Sequence, residues 1–133
     1  MDFIVWTERY SVKIEKIDEQ HKKFIGIINK LYQGMLDGYE EPVLGVLLEE
    51  LINYASYHFK TEEKLMLEYD FKGYAEHKIE HEAFKVRIED FYGEWQHGDK
   101  KIIGDLFVFL NEWVDVHIAK TDQKYVDLLT ARL

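Results

Sequence analysis

Residues 77–95 read HKIEHEAFKVRIEDFYGEW, and their pattern indicates the architecture of the chain. Its large side chains recur in steps of three and four residues, which is the spacing of a helix face packed inside a bundle. With Tyr74 in front, the face comprises Tyr74, His77, His81, Phe84, Ile88, Phe91 and Trp95. The sequence therefore predicts a bundle helix whose core-facing stripe includes histidines.

Three further segments of the chain show the same periodicity. The first begins near Asp18, a suitable N-cap residue, and the second has Pro42 in its first turn. Their stripes are Ile17, His21, Phe24, Ile28, Leu31, Met35; then Leu44, Leu48, Leu51, Ala55, His58, Glu62, Leu65; and finally Ile103, Leu106, Leu110, Trp113, His117. We expect one domain with helices over about 18–37, 41–67, 73–95 and 99–120. Short connections between four such helices predict an all-α, antiparallel up-down-up-down four-helix bundle.

The two ends of the chain differ from these segments. In the N-terminal arm, residues 1–17, Val12 and Ile14 alternate with Ser11 and Lys13. This alternation predicts an extended arm that packs across the outside of the bundle. The C-terminal tail KYVDLLTARL predicts one more short helix.

Composition excludes several classes of function. The chain has 133 residues and no cysteine, so disulfides, thiolate metal sites and cysteine nucleophiles are ruled out. A formal net charge of −9 argues against binding to nucleic acid or to an anionic membrane. The sequence has no apolar run long enough for a membrane span and no signal peptide, so we expect a cytoplasmic protein.

Five of the six histidines fall on the core-facing stripes, together with Glu62. In an antiparallel bundle the start of the first helix, the end of the second, the start of the third and the end of the fourth share one level. His21, His58, His77, His81, His117 and Glu62 lie at those places. The sequence therefore predicts that these polar side chains meet in one layer near one end of the core.

Such a layer is costly unless something binds it, because buried imidazoles and carboxylates each cost a few kcal/mol when unsatisfied. Histidine is the commonest metal ligand. The pairs His58/Glu62 and His77/His81 have the i, i+4 spacing that allows two side chains of one helix to bind the same metal. Five imidazoles exceed the needs of one tetrahedral zinc, and calcium and magnesium prefer oxygen ligands. The pattern favours two metals, with iron, zinc, copper and nickel all remaining open.

A pair of metals needs bridging groups, for which Glu62 and Asp122 are the candidates. Asp122 lies five residues after His117, so on a regular α-helix the two side chains would point about 140° apart. They can reach one site only if the helix widens between them. The spacing therefore predicts a π-type turn of the kind found at functional sites.

The sequence resembles a bacterial hemerythrin in the arm VWTERYSVKIEKIDEQH and in HFKTEEKLM, HKIEH and WVDVHIAKTD. The resemblance covers nearly the whole chain, with matching spacings and order. It implies two non-haem irons per chain, bridged by an oxo or hydroxo group and by Glu62 and Asp122. By resemblance, one iron is bound by His77, His81 and His117, and the other by His21 and His58.

The resemblance also implies reversible O2 binding at the open position of the iron that has two histidines. By position, the apolar pocket for O2 is expected to include Phe24, Phe59, Met66, Trp113 and Val114. We expect an O2 carrier, store or delivery protein, not an enzyme, with an O2-consuming protein as recipient. An O2 or redox sensor acting through a partner, a di-iron oxidase or peroxidase, and an iron store are the alternatives. The sensor is disfavoured because it needs an output that a single domain lacks. The oxidase or peroxidase is disfavoured because oxygen-activating bundles use carboxylate-rich sites with Glu-x-x-His repeats, which are absent here.

Overall fold

Four long helical stretches form the molecule, which is described by a computed structural model over residues 3–98 and 102–132. No β-strand occurs within these ranges. The elements of the bundle are α1 (Glu15–Leu36), α2 (Glu41–Glu68), α3 (Tyr74–Gln96), α4 (Ile102–Glu112), a π-helix (Trp113–Thr121), a 3-10 turn (Asp122–Tyr125) and α5 (Val126–Arg132). The fold is therefore an all-α four-helix bundle with a short helix after it, as the periodicity predicted.

The predicted stripes face the interior. Leu31, Leu51, Ile88 and Leu106, one from each of the four helices, are at most 3% exposed. Consecutive helices pack against one another, and α1 also meets α4 where the ring of Tyr32 contacts the ring of Phe107. Burial of these apolar faces provides the main stabilisation of the bundle. Within the described residues, no helix is long and apolar enough to cross a lipid bilayer.

Two of the sequence-based boundaries differ from the structure. Helix α1 begins three residues before Asp18, and Ile14 takes the N-cap position. Asp18 instead accepts hydrogen bonds from the backbone N–H of Val12 and the hydroxyl of Ser11, so its carboxylate fixes the arm to the helix. The α-helical part of the fourth helix ends at Glu112, because the chain continues as a π-helix. The expected start at residue 99 lies outside the described residues.

The N-terminal arm packs against the C-terminal part of the chain. Its backbone is extended at Ser11 and contains one 3-10 turn, Glu8–Tyr10. Val12 and Ile14 are buried in a small apolar cluster with Met66, Tyr125 and Leu129. The side-chain amide of Gln123 donates to the backbone oxygen of Ser11. The arm therefore covers the region that follows the π-helix.

Candidate metal centre

The π-helix brings Asp122 into the core. The backbone N–H of Asp122 donates to the backbone oxygen of His117, five residues earlier, which is the hydrogen bond of a π turn. Both side chains consequently lie on one face, and Asp122 is fully buried. The predicted widening is confirmed, although the segment is longer than predicted because it already begins at Trp113.

Seven buried side chains converge at this level of the bundle, and they are those that the sequence singled out. They form two groups, in each of which the potential ligand atoms lie within 4.8 Å of one another. One group is Glu62, His77, His81, His117 and Asp122; the other is His21, His58, Glu62 and Asp122. The groups therefore share the two carboxylates and divide the five histidines three to two.

Asp122 connects the two groups through its two oxygens. Its Oδ1 lies 2.8 Å from Nε2 of His77 and 3.0 Å from Nε2 of His117. Its Oδ2 lies 3.1 Å from Nε2 of His21. Each oxygen thus faces a different group of imidazoles, which is the arrangement needed by a carboxylate that bridges two cations.

Glu62 is shared in a different way. Its Oε1 lies 2.7 Å from Nε2 of His58 and 3.7 Å from Nε2 of His81, so one oxygen faces both groups. Its Oε2 accepts a hydrogen bond of 2.6 Å from the buried hydroxyl of Tyr125. Tyr125 therefore fixes the orientation of this carboxylate, a role that the sequence did not indicate.

Hydrogen bonds on the outer side of the site orient three of the imidazoles. In each case Nδ1–H donates to a side-chain oxygen, so Nε2 is the nitrogen that faces the centre and is left to bind a metal. The pairs are His58 with Gln20 at 2.7 Å, His81 with Glu63 at 2.8 Å, and His117 with Glu80 at 3.0 Å. No role was assigned to Gln20, Glu63 or Glu80 from the sequence. Their helical spacing gives no signal, because each partner lies on a neighbouring helix.

Unsatisfied polar atoms show that this layer fits a bound cation. Among the described residues, eight buried side-chain atoms lack a hydrogen-bond partner. One is Nδ1 of His21, and the other seven lie at the site. They are Nε2 of His21, His77, His81 and His117, Oε1 of Glu62, and both carboxylate oxygens of Asp122. Because unpaired buried groups of this kind are strongly unfavourable, a cation at their focus would satisfy most of them at once.

The buried groups also shift one another's pKa values. Burial and the Asp122 carboxylate oppose ionisation of Glu62, but His58 outweighs them and lowers the pKa of Glu62 to about 2. Burial lowers the pKa of His81 to about 3. Burial also opposes protonation of His117, but Asp122 outweighs it and raises the pKa of His117 to about 9. At neutral pH the carboxylate of Glu62 and the imidazole of His81 are already in their ligating forms, and His117 carries a proton that a metal would displace.

A narrow gap lies between apolar side chains and the candidate ligands His58, Glu62, His117 and Asp122. About 190 Å³ between its wall atoms is unfilled, but no part of it is wide enough for a water molecule. Phe24, Phe59 and Trp113 line it, as the sequence suggested, together with Ile118, which the sequence did not single out. Of the other expected lining residues, Met66 belongs to the cluster beneath the arm and Val114 to the main core.

Two aromatic rings cover imidazoles of the site. Phe59 stacks on His81 with 4.0 Å between ring centroids, and Trp113 stacks on His117 with 3.9 Å. The interplanar angles are 11° and 8°, so the rings lie nearly parallel. These contacts fill the space around the imidazoles with apolar atoms and keep water away from them.

Comparison with known proteins adds an independent line of information. Residues 12–129 match the model of the hemerythrin HHE cation binding domain. The chain is 31% identical over 129 residues to the bacteriohemerythrin of Clostridium acetobutylicum, and this match covers 92% of this chain and 98% of that relative. It is 34% identical over 128 residues to the bacteriohemerythrin of Pseudomonas aeruginosa, covering 96% and 82% of the two chains. A crystal structure of wild-type hemerythrin matches with a TM-score of 0.88 at 29% identity, over 96% of this chain and 98% of that one.

Proposed function

Because the chain belongs to the hemerythrin family, we propose that it binds O2 reversibly at a non-haem di-iron centre. The observation that carries the proposal is the division of the buried site into two groups that share both carboxylates. The proposed ligands are His77, His81 and His117 for one iron, His21 and His58 for the other, and Glu62, Asp122 and an oxo or hydroxo group as bridges.

The ligand set suits the chemistry. Iron held by these residues would supply the two electrons that O2 takes up on binding. Neutral imidazoles leave most of the cationic charge on the metals, whereas Glu62 and Asp122 offset part of it. The outer partners Gln20, Glu63 and Glu80 hold the imidazole planes in place, which keeps the ligand geometry fixed when O2 enters and leaves.

The apolar side chains on the wall of the narrow gap, and not its width, support O2 as the ligand. The gap borders His58 of the group with two histidines and His117 of the group with three. We propose the His58 side for O2, because that group supplies fewer protein ligands. Phe24, Phe59 and Ile118 offer no proton donor to a bound ligand and exclude water from it. A dry wall of this kind disfavours irreversible reduction of O2, because protons and water must reach the ligand for that reaction.

The composition of the site favours binding over catalysis. Five imidazoles and two carboxylates face the centre, whereas bundle sites that activate oxygen use a carboxylate-rich set. We therefore assign the chain as a carrier, store or delivery protein for O2, not an enzyme. An O2-consuming protein would be its recipient.

One spectroscopic experiment tests this assignment. The protein is loaded with Fe(II) without air, exposed to O2, and returned to an O2-free atmosphere while its absorption spectrum is followed. We expect two irons per chain and a ligand-to-iron charge-transfer band that appears with O2 and disappears without it. Irreversible oxidation with turnover of an added substrate would instead assign an oxidase, and a single bound zinc would overturn the di-iron site.

A further inference from the structure

Two neighbouring cavities meet at one side chain, Trp113. The first is the gap beside the proposed centre, which is closed to water. The second is a surface pocket of about 230 Å³ between α3 and the π-helix. Trp113 and His117 belong to the walls of both. A thin partition made of these two side chains therefore separates the proposed ligand position from solvent.

Of these two side chains, only one is held by polar contacts. His117 donates to Glu80 through Nδ1 and faces Asp122 through Nε2, so its ring is fixed from both sides. Trp113 is partly exposed and, among the described residues, makes ring contacts only: it stacks on His117 at 3.9 Å, and the centroids of Phe84 and Phe59 lie 4.6 and 5.7 Å away. Ring contacts without hydrogen bonds permit a side-chain rotation that the fixed imidazole does not.

From this geometry we propose that Trp113 is the gate through which small ligands pass between the surface pocket and the proposed metal centre. Because the gap is too narrow for water and its walls are close-packed, exchange of a ligand by this route requires a side chain to move. Rotation of the indole towards the surface pocket joins the two cavities without displacing His117. The inference rests on the proposed function, since it concerns access to that centre.

The outer pocket also determines which ligands approach the gate. Phe109 and Val116 make its floor apolar, whereas Glu80 and Glu112 place carboxylates beside it. The whole chain carries a formal charge of −9. An apolar vestibule with acidic groups favours small uncharged molecules and repels anions. The gate and its vestibule therefore select O2 over anionic ligands of similar size.

Azide entry into the diferric protein tests the gate, because its charge-transfer band reports ligand arrival without O2 chemistry. Trp113→Phe removes part of the partition, and we expect azide binding about tenfold faster than in the unaltered chain. Val116→Trp fills the outer pocket at an exposed position and should slow entry severalfold. Trp95→Phe, at the opposite end of the bundle, is the matched control and should leave the entry rate unchanged.

Charge selection has a separate test. Glu112→Gln should increase the rate of azide binding at low salt, and this increase should disappear at high salt because salt screens the charge. The rate of O2 binding to the diferrous protein should not change. A third readout needs no iron: xenon under pressure should shift the NMR signal of the Trp113 indole N–H, and Val116→Trp should abolish that shift.

The outcomes separate the gate from the centre. Absence of any azide band in the unaltered, iron-loaded chain overturns the proposed function. A normal band with equal entry rates in the unaltered chain, Trp113→Phe and Val116→Trp overturns the gate and leaves the centre standing. If Trp113→Phe fails to hold two irons, the Val116→Trp rate and the xenon shift still decide the question.

Discussion

The two halves of the bundle follow one sequence pattern but have opposite interiors. The half away from the π-helix is an apolar core containing Leu31, Leu48, Phe91 and Leu106. The half beside the π-helix places five imidazoles and Glu62 at equivalent stripe positions and adds Asp122 through the widened turn, and all seven side chains are buried. The spacing of three and four residues therefore specifies which side chains are inside, but not whether burying them stabilises the chain.

The contrast separates folding from function. Burial of apolar side chains stabilises the distant half without help, at about 25 cal/mol per Å². The polar half contains unpaired buried atoms such as Nε2 of His81, which disfavour folding until a cation is bound. Changes in the two halves should consequently affect metal binding and folding stability differently.

Asp122→Asn should have the largest effect. The substitution keeps the shape of the side chain but removes the negative charge that faces both groups of histidines. We expect iron content to fall below two per chain and the O2-dependent band to be lost, while far-UV circular dichroism stays helical. Iron analysis and absorption spectra of the anaerobically loaded variant provide the measurement.

A matched control lies on the π-helix that precedes Asp122. Asp115 is half-exposed and pairs with Arg9 of the arm, so Asp115→Asn changes the same functional group outside the site. This variant should keep two irons. Equal iron contents in the two variants would show that Asp122 is not a bridging ligand.

Removal of metal should have the next largest effect. At a free metal concentration about 1,000 times the dissociation constant, binding adds about 4 kcal/mol to the free energy of unfolding. Protons compete for the same nitrogen and oxygen atoms, so this difference should narrow as pH falls. Chemical denaturation of the loaded and metal-free chains across pH measures it, and equal stabilities at neutral pH would contradict a buried metal site.

The stability of the metal-free chain should also pass through a maximum as pH changes. His81 has a pKa of about 3 in the folded chain and stays neutral there, whereas the unfolded chain takes up this proton near pH 6.5. The free energy of unfolding therefore decreases as pH falls from 6.5 towards 3. His117, with a pKa of about 9, contributes fully below pH 6.5 and loses this contribution as pH rises through 9. Stability of the metal-free chain should therefore be greatest near pH 6.5. Metal binding near pH 7 should release protons, which calorimetry in buffers of different ionisation enthalpy detects.

Leu106→Ala tests the apolar half. Leu106 is fully buried on α4, and its truncation should cost about 3 kcal/mol through lost burial and a residual cavity. The loss should be equal in the loaded and metal-free chains, and two irons should still bind. A markedly greater loss in one of the two forms would mean that the halves are energetically coupled.

The sequence predicts the bundle and the converging layer because both depend on periodicity. The spacing of five positions from His117 to Asp122 was also informative, because only a widened turn places both side chains on one face of the helix. Periodicity could not show that this π-helix begins at Trp113, because no residue type marks its start.

Contacts between helices were beyond such reasoning. Ile118 at the gap, Tyr125 on Glu62, and Glu80 on His117 each depend on rotation of a helix about its own axis, which the spacing does not specify. The same applies to Asp18, whose position suits an N-cap residue but whose carboxylate instead binds the arm. Met66 has the spacing of a residue near the site, yet the arm captures it in a separate cluster.

Glu80→Gln should have the smallest effect, confined to the polar half. The glutamine oxygen can still accept from Nδ1–H of His117 and from the hydroxyl of Thr121, but it lacks the charge that strengthens the imidazole as a ligand. We expect iron affinity to fall about tenfold with little change in metal-free stability. Glu82→Gln, an exposed change on the same helix, should leave affinity unaltered. Competition with a chelator of known affinity ranks the three proteins, and equal affinities for all of them would show that the charge on Glu80 does not act on the metal through His117.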